Sequence, residues 1–519
     1  MKIHVLDSTL RDGAQAENIS FSVNDKLAIA RALDEYGVGY IEAGNPASNP
    51  KDLEFFQKAG ELKLTSALLT AFGSTCRKGV SAEEDANLQA ILKAQTPAVA
   101  IFGKASMLHV KEILETTPEE NLRMVTDSVA YLKKQGKELI FDAEHFFDGY
   151  REDSEYAMQV LRAALNAGAD VLCLCDTNGG TLPAELQEVT ARVVRLFPGA
   201  VMGIHAHNDC GCAVANTLLA VQAGARHIQG TFVGFGERCG NADLSSILPA
   251  LALKAGFELD GDVKLLCETA GQLAELANIH LPAGKPFVGR SAFSHKAGMH
   301  IDGVVKRSSS FEHIDPESVG NRRRFLMSEV AGRGSVLQKI LPIAPSLTKT
   351  DPRLTELTNE LKKMEHYGYQ FEAADASFEL LARKVLGMYE PHFRVALYKT
   401  IGEYPAPEGE KPATAVIKVE VDGKTEATAA LGSGPVNALD IALRKALCVF
   451  FPQLGKMQLT DYKVRVLDQE SATAAKVRVL IESGDGTRTW TTIGVSDDII
   501  QASLIALVDS IEYKLSRGD

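Results

Sequence analysis

The segment DVLCLCD at residues 170–176 is a short apolar run between amphipathic helical patterns, and runs of this type decide the fold of the first half of the chain. ELIFDAE at 138–144 precedes it and VMGIHAH at 201–207 follows it. Continuous apolar strands are typical of a parallel sheet that is covered on both faces. Further strand candidates lie at 3–7, 39–43, 64–71, 98–103 and 227–233.

Amphipathic helical patterns alternate with these strands. They lie at Lys26 to Tyr36, Glu83 to Gln95, Pro118 to Gln135, Ser154 to Ala167, Pro183 to Phe197 and Ala213 to Ala223. Eight strand–helix alternations in about 250 residues predict an α/β fold, a closed (β/α)8 TIM barrel over residues 1–270. An open doubly wound sheet is the alternative, but the first strand–helix loop lacks the GxGxxG pattern of its nucleotide-binding form.

The second half of the chain changes character twice. Residues 271–400 are mostly helical by pattern, and we interpret them as helical linker and lid subdomains. Prolines and charges at 403–412 predict a linker or exposed loop. Residues 401–519 then predict a C-terminal α+β regulatory domain. Its expected strands are Thr414 to Val421, Thr425 to Ala430, Tyr462 to Leu467, Ala475 to Glu482 and Thr487 to Val495, and its expected helices are Asn437 to Phe450 and Asp497 to Leu515.

The C-terminal domain contains an internal repeat. AALGS at 429–433 aligns with TTIGV at 491–495, and each ends a strand shortly before an amphipathic helix. Two related units predict a pseudo-symmetric, two-fold module. Because the module has no cluster of titratable groups, we expect it to serve regulation or dimerisation.

Composition and charge narrow the classes of function. The chain has 519 residues, of which 45% are hydrophobic and 24% charged, as in globular proteins of several domains. The formal net charge of -12 argues against a nucleic-acid or acidic-membrane partner. No segment approaches the roughly 18 apolar residues that span a bilayer. The thinly spread cysteines suit a reducing compartment, so we expect a cytoplasmic protein.

Polar side chains accumulate where the predicted barrel strands end, which is where TIM barrels carry their active sites. Four strands end in DSTLRDG at 7–13, DAEH at 142–145, DTNGG at 176–180 and HAHND at 205–209. GFGERCGN at 234–241 follows the eighth strand. This distribution predicts a catalytic mouth at one end of the barrel.

A metal site is the main prediction for this mouth. His205 and His207 are two residues apart on a strand, so both imidazoles project from the same face. They can ligate one divalent metal, with Asp12 as a third ligand and Asn241 presented by the glycine-rich loop. A purely structural histidine pair is the alternative.

A softer site is a second alternative for the same histidines. His205-x-His207 continues as x-x-Cys210-x-Cys212, which resembles a zinc cluster. The intervening polar residues and Gly211 place these thiols on the turn into the next helix, which disfavours the zinc reading.

Arg11 and the carboxylates of the fifth strand are candidate catalytic groups. Arg11 can stabilise negative charge on a carbonyl oxygen, or it can form a structural ion pair with Asp12. Glu144 shares a strand face with Asp142, so one is expected in the active site and the other as its support. A buried, hydrogen-bonded pair without a catalytic role is the alternative.

Two further groups have equally open interpretations. The Thr177 hydroxyl can bind a substrate carboxylate or cap the Thr181–Pro183 turn. SHKAGMHIDG at 294–303 is either a solvated loop or a lid that delivers His300 as an acid–base group.

Taken together, these residues resemble the isopropylmalate, homocitrate and citramalate synthase family over essentially the whole chain. The resemblance lies in DSTLRDG at 7–13 with Gln15, HAHND at 205–209, GERCGNA at 236–242 and HKAGMH at 295–300. The tail is similar to the family's allosteric domain. LTAFGST at 69–75, IFGK at 101–104, FDAEHFFDG at 141–149 and LCDTNGGTLP at 174–183 look most like the citramalate synthase branch.

The resemblance implies a Claisen-type condensation of acetyl-CoA with pyruvate. It implies a divalent metal, Mn²⁺ or Mg²⁺ before Zn²⁺, which Asp12, His205, His207 and Asn241 bind. Arg11 would polarise the keto oxygen, Gln15 and Thr177 would bind the 2-oxo acid, and Glu144 would assist near the reacting centre. His300 resembles a lid histidine that reaches the partner subunit's site, which implies a homodimer. Isoleucine is the implied effector.

One position departs from the family, and other functions remain as alternatives. Phe311 stands where many relatives carry tyrosine, so acid–base chemistry by a phenol is in doubt there. Isopropylmalate synthase, with a bulkier branched acceptor, is the second choice. An acyl-CoA lyase would not be expected to need residues 413–519. A regulatory metal- or amino-acid-binding protein leaves Arg11, Glu144, Thr177 and His300 unexplained.

Overall fold

The computed structural model describes residues 2–326, 333–405, 411–467 and 475–517. The chain forms two compact units. The first comprises Met1–Phe293 and Ile314–Arg323, and the second comprises Ser294–His313 and Arg324–Asp519. Residues 406–410 of the predicted linker lie outside the described residues, and the predicted domain limits at 270 and 400 remain predictions. Within the described ranges, no helix combines the length and apolarity needed to cross a membrane.

Eight parallel strands close into a barrel in the first unit, which confirms the predicted TIM barrel. The ring closes because β1 pairs with both β2 and β8. The strands are β1 (His4–Asp7), β2 (Tyr40–Glu42), β3 (Leu68–Ser74), β4 (Ala98–Lys104), β5 (Glu138–Glu144), β6 (Val171–Asp176), β7 (Val201–Ala206) and β8 (His227–Gly230).

Helices follow the strands and begin at recognisable signals. Ser22 forms a capping box with Asp25, and Thr117 caps a helix whose first residue is Pro118. The helices of this unit are α1 (Val23–Tyr36), α2 (Pro50–Ala59), α3 (Ala86–Lys93), α4 (Pro118–Lys134), α5 (Phe146–Glu152), α6 (Ser154–Asn166), α7 (Pro183–Leu196), α8 (Ala213–Ala223), α9 (Leu244–Pro249) and α10 (Leu266–Leu276).

The barrel strands are apolar throughout because both of their faces are buried. Residues that point inward fill the interior, among them Leu6, Ala100, Ile140 and Cys173. Alternate residues pack outward against the helices in a separate, larger core. This arrangement explains why these strands lack the polar alternation of a half-exposed sheet.

The third strand begins and ends later than the predicted range 64–71. The backbone N–H groups of Thr65, Ser66 and Ala67 donate to the carboxylate of Asp34 at distances of 2.8–3.1 Å. These residues therefore bind a side chain at the end of α1, and the ladder starts only at Leu68.

The second unit begins with a short parallel pair and four helices. They are β9 (Ser294–His295), β10 (Arg324–Phe325), α11 (Gly298–Lys306), α12 (Arg333–Ile340), α13 (Pro352–Tyr367) and α14 (Asp375–Val385). Two antiparallel three-stranded sheets follow, each succeeded by one helix. They are β11 (Arg394–Gly402), β12 (Ala413–Val421), β13 (Lys424–Gly432) and α15 (Pro435–Leu447), then β14 (Gln458–Val466), β15 (Val477–Gly484), β16 (Thr489–Ser496) and α16 (Ile499–Ser516).

The first strand of this module was not expected from the sequence. β11 spans the predicted boundary between residues 400 and 401, in a region interpreted as helical. Among the described residues it pairs on one side only, with β12, and most of its residues are exposed. An exposed edge strand lacks the apolar alternation that identifies a half-buried strand.

Candidate functional site

A cavity of about 250 Å³ opens at the C-terminal ends of the barrel strands. Polar side chains from five strand ends or the loops that follow them converge there, as the sequence predicts. The lining residues are Arg11, Asp12, Gln15, Phe72, Phe102, Asp142, Glu144, Cys175, Thr177, His205, His207, Glu237 and Arg238.

Three predicted metal ligands lie together at the floor of this cavity. The Nε2 atoms of His205 and His207 are 3.3 Å apart. Oδ2 of Asp12 lies 3.7 Å from Nε2 of His205 and 3.9 Å from Nε2 of His207. All three side chains are buried. Two imidazoles and one carboxylate that converge in this way can hold a single divalent cation.

Asn241 completes the predicted ligand set. Its backbone forms an antiparallel bridge with His207, and its Nδ2 donates to Oδ1 of Asp12 at 2.9 Å. A Cβ at Gly236 would overlap the Asn241 amide, so the loop needs glycine there. The Asn241 Oδ1 atom is buried and has no hydrogen-bond partner among the described residues. An orphaned amide oxygen beside these three side chains fits the donor set of a divalent metal site.

The electrostatics of the cluster also suit a cation. Burial, and then the neighbouring His207, lower the pKa of His205 to about 3, and burial lowers the pKa of His207. Burial alone would raise the pKa of Asp12, but Arg11 and the two histidines hold it below its ordinary value. Both imidazoles are therefore neutral and the carboxylate is ionised near neutral pH, which are the forms that bind metal.

The alternative zinc cluster is not assembled. Cys210 is exposed, Cys212 is half-buried at the start of α8, and the Cys212 thiol donates to the backbone oxygen of Cys210. Neither thiol belongs to a cluster of ligand atoms with the two histidines in the described part of the chain. A third thiol, that of Cys239, is also exposed, on the loop that precedes Asn241.

Arg11 is fixed on three sides. Its Nε donates to Oε2 of Glu42 at 2.7 Å, and its Nη1 donates to Oδ2 of Asp12 at 2.7 Å. The guanidinium carbon lies 3.9 Å from the centre of the Phe72 ring. The structural ion pair and the functional position therefore coexist, because Arg11 also lines the cavity and has further N–H groups that can meet a ligand oxygen.

Two groups that hold Arg11 or narrow the cavity were missed by sequence reasoning. Glu42 is fully buried and also accepts a hydrogen bond from the hydroxyl of Ser8. The sequence signal for Glu42 was an acidic residue in the otherwise apolar strand pattern GYIEA at 39–43. Phe72 and Phe102 stack with ring centres 5.5 Å apart. Their signal was a Phe-Gly pair near the end of each of two successive strands.

The two carboxylates of β5 have different surroundings. Glu144 forms an ion pair with Lys104, its register partner on β4. Asp142 accepts a hydrogen bond from the amide of Gln229 at 2.8 Å, and burial, then the nearby Glu42, raise the pKa of Asp142 to about 7. Glu144 is thus a charge-paired group, whereas Asp142 can carry a proton near neutral pH.

Thr177 faces the cavity and does not cap the following turn. Asp176 accepts the hydrogen bonds from the backbone and the hydroxyl of Thr181 instead. The Thr177 hydroxyl oxygen accepts from the backbone N–H of His145 at 2.9 Å. Gln15 lines the same cavity from the short 3₁₀ turn Gly13–Gln15.

His300 belongs to the second unit. It is exposed on α11, and its ring stacks on Phe311 with centres 4.2 Å apart. Its role as a lid residue remains a prediction.

Comparisons with known proteins agree with the residues found at the cavity. The chain matches the HMGL-like family over residues 2–273, the homocitrate synthase post-HMGL domain-like family over 287–368 and the LeuA allosteric (dimerisation) domain over 372–515. It is 49% identical over 520 residues to the (R)-citramalate synthases of Aquifex aeolicus and Geobacter sulfurreducens, and each alignment covers 100% of this chain and 98% of the relative. A probable 2-isopropylmalate synthase of Methanopyrus kandleri is 33% identical, with 99% of each chain covered.

Proposed function

The chain belongs to the (R)-citramalate synthase family, and from that premise we propose that it condenses acetyl-CoA with pyruvate and hydrolyses the thioester to release citramalate and CoA. The observation that carries the proposal is the meeting of Asp12, His205 and His207 beside Arg11 in one cavity, with Asn241 hydrogen-bonded to Asp12. The full-length identity of 49% to citramalate synthases, against 33% to a probable isopropylmalate synthase, supports the acceptor assignment.

We assign the four converging side chains to a divalent metal. Mn²⁺ or Mg²⁺ is preferred, with Zn²⁺ as the alternative, because carboxylate and amide oxygens accompany the imidazoles. When bound, the ion would polarise the keto group of the 2-oxo acid.

Arg11 stabilises the oxyanion in this scheme. The keto oxygen of the acceptor gains negative charge as the new carbon–carbon bond forms. Glu42, Asp12 and the Phe72 ring hold the guanidinium in place before the substrate arrives. A donor that is already oriented does not have to reorganise during the reaction, which is the main source of electrostatic catalysis.

Proton transfer is assigned to the remaining ionisable groups. A base removes a proton from the methyl group of acetyl-CoA, and the resulting enol attacks the keto carbon. We assign the base to His300 of the lid, with Glu144 close to the reacting centre. Phe311 has no hydroxyl, so it can support the His300 ring only by stacking.

Polar and aromatic side chains of the cavity are assigned to the 2-oxo acid acceptor. Thr177 offers a hydroxyl to the carboxylate of the 2-oxo acid, and Gln15 lines the same space. Phe72 and Phe102 form an apolar wall of two stacked rings.

Acetyl-CoA has a matching cleft beside the reaction cavity. A second cavity of about 540 Å³ shares Phe102 with the first and has Lys104 in its wall. It combines apolar side chains, which suit a pantetheine arm, with three cationic ones, which suit phosphates. The apolar residues are Val80, Ile113, Leu114 and Met124, and the cationic residues are Arg77, Lys78 and Lys104.

The C-terminal module supports oligomerisation and effector binding, since it matches the LeuA allosteric (dimerisation) domain. We propose a homodimer in which the lid of one subunit serves the other. Isoleucine is the proposed effector, because a pathway that starts from citramalate ends in that amino acid.

The decisive experiment is a CoA-release assay with metal-depleted and metal-loaded protein and a panel of 2-oxo acids. We expect the highest kcat/KM with pyruvate, a lower value with 2-oxobutanoate and the lowest with 2-oxoisovalerate. Preference for 2-oxoisovalerate would reassign the chain to isopropylmalate synthesis. Cleavage of citramalyl-CoA without condensation would indicate a lyase, and an absence of metal-dependent CoA release would contradict an enzymatic role.

A further inference from the structure

His145 has an unusual backbone conformation directly after the proposed active-site residue Glu144. Its φ of 56° and ψ of 35° lie in the left-handed region, at the junction between β5 and α5. Residues other than glycine rarely adopt this region, and asparagine, aspartate and histidine tolerate it best among them. Such conformations persist only where the surrounding structure enforces them.

The His145 ring shows what enforces the conformation. It is buried and stacks on the ring of His109, with centres 3.7 Å apart and an angle of 26° between the planes. Its Nδ1 lies 3.7 Å from the carboxylate of Asp148. His109 itself lies in a single π-helical turn, His109–Ile113, after β4. The imidazole is therefore held between two elements that follow neighbouring barrel strands.

The backbone of His145 acts on Thr177. The His145 N–H donates to the hydroxyl oxygen of Thr177 at 2.9 Å. A hydroxyl group has one hydrogen, which points away from a donor that approaches its oxygen. This contact leaves the Thr177 hydroxyl free to donate to another acceptor, and a carboxylate ligand needs such a donor.

A second residue holds Thr177 from the other side. Nη2 of Arg238 donates to the backbone oxygen of Thr177 at 2.8 Å, while the same guanidinium pairs with Asp209. Arg238 also has a left-handed backbone, with a φ of 57°. Among the described residues, nine other than glycine have positive φ, and these two bind the same threonine. Two costly conformations that hold one residue, one at its hydroxyl and one at its backbone oxygen, indicate that the position of Thr177 is fixed from both sides.

We propose that His145 is a positioning residue whose left-handed backbone, locked by the stack on His109, aims the Thr177 hydroxyl at the carboxylate of the 2-oxo acid. The inference rests on the proposed function, because it needs a 2-oxo acid in the cavity. It adds a residue that orients the acceptor without touching it.

The test measures KM for pyruvate and for acetyl-CoA separately. We expect His145→Ala to raise the pyruvate KM about tenfold or more, the effect of losing a hydrogen bond to a charged group. The acetyl-CoA KM should stay within about twofold, since Thr177 does not bind that substrate. His145→Asn should restore most of the pyruvate affinity, because asparagine tolerates the left-handed backbone.

A double-mutant cycle separates positioning from general damage. Thr177→Val removes the hydroxyl and keeps the shape of the side chain, so His145→Ala in that background should raise the pyruvate KM no further. Gln95→Ala is the matched control, since Gln95 has a φ of 54° at the exposed end of α3. It should lower Tm and leave both KM values unchanged.

Two results would overturn the inference. One is an additive rise in pyruvate KM in the double variant. The other is a similar rise in the KM values for pyruvate and acetyl-CoA in His145→Ala, together with a lowered Tm, which would indicate general damage to the fold. Wild-type protein that releases no CoA with pyruvate would instead contradict the proposed function, so the two failures can be told apart.

Discussion

The two ends of the barrel carry histidines that look alike until their neighbours are compared. His205 on β7 and His227 on β8 are both buried, and burial above all lowers the pKa of each to about 3. His227 lies at the N-terminal end, 5.5 Å from the Tyr40 ring centre, and a Cβ on Gly203 would lie 3.1 Å from it. His205 lies at the C-terminal end, where other ligand atoms converge. Burial and basicity therefore do not distinguish the two histidines, whereas the convergence of other candidate metal-binding atoms does.

The carboxylates of the two ends differ in the same way. Asp34, at the N-terminal end, is saturated by three consecutive backbone N–H groups and the Thr65 hydroxyl. Asp12, at the mouth, stands beside an Asn241 oxygen that has no hydrogen-bond partner among the described residues. At the N-terminal end of the barrel, which we call the lower end, this carboxylate is satisfied by the protein itself, whereas at the mouth an amide oxygen remains available for a ligand.

Replacing one histidine at each end of the barrel should give the largest difference in bound metal and activity. We expect His207→Ala to lose bound metal and to lower kcat/KM by on the order of 10³ or more, because Lewis-acid polarisation supplies several kcal/mol. His227→Leu should retain metal and activity, since both ring nitrogens of His227 lack partners within the described residues. Elemental analysis and CoA release measure the two effects, and a metal-free His227→Leu protein would break the comparison.

The arginines of the two ends give the next largest contrast. Arg11→Ala should lower kcat by about 10²–10³, as deletion of an oxyanion donor does elsewhere. Arg226, at the start of β8, donates only to backbone oxygens of Val221 and Ala225 among the bonds described for it. We expect Arg226→Ala to lower Tm and to leave turnover unchanged. Near-normal kcat in Arg11→Ala would remove Arg11 from the mechanism.

Acid stability should report on the buried histidine of the lower end. Between about pH 6.5 and pH 3, the unfolded chain binds a proton at His227 that the folded barrel excludes. The free energy of unfolding therefore falls as pH is lowered through this window, by about 1.4 kcal/mol per pH unit for each such group. Chelator-treated protein should show this slope in urea unfolding, and His227→Leu should reduce it by one proton. If the pH dependence of the free energy of unfolding is the same in His227→Leu and wild type, residues other than His227 cause the loss of stability in acid.

The smallest effect is expected from the saturated carboxylate. Asp34→Asn should cost about 1 kcal/mol of stability, because the amide replaces one charged acceptor and presents a donor to backbone N–H groups. Its kcat and both KM values should equal those of wild type. Altered KM values would show that the lower end communicates with the mouth.

The convergence of the four proposed metal ligands was predictable from the sequence because it depends on local order. His205 and His207 share a strand, Asp12 follows a strand end, and Asn241 lies in a glycine-rich loop after the last strand. Each position is visible from periodicity and from the rule that barrel sites lie at strand ends. The barrel itself was predictable for the same reason.

The remaining site residues depend on distant partners and were not predictable in that way. Gln229 meets Asp142 across the barrel interior, 87 positions apart in sequence, and Glu42 meets Arg11 31 positions apart. The start of β3 likewise depends on Asp34 from another element. Such contacts need the register of the closed barrel, which the apolar pattern of single strands does not contain.

The loops after β7 and β8 have a consequence for thiol chemistry. Cys210 and Cys239 are exposed there, whereas Cys173 and Cys175 are enclosed in the barrel. An alkylating agent or oxidant will reach the loop thiols first and add bulk next to the residues that present His207 and Asn241. Inactivation by such a reagent is therefore to be expected from obstruction of the entrance, and it is not evidence for a nucleophilic cysteine.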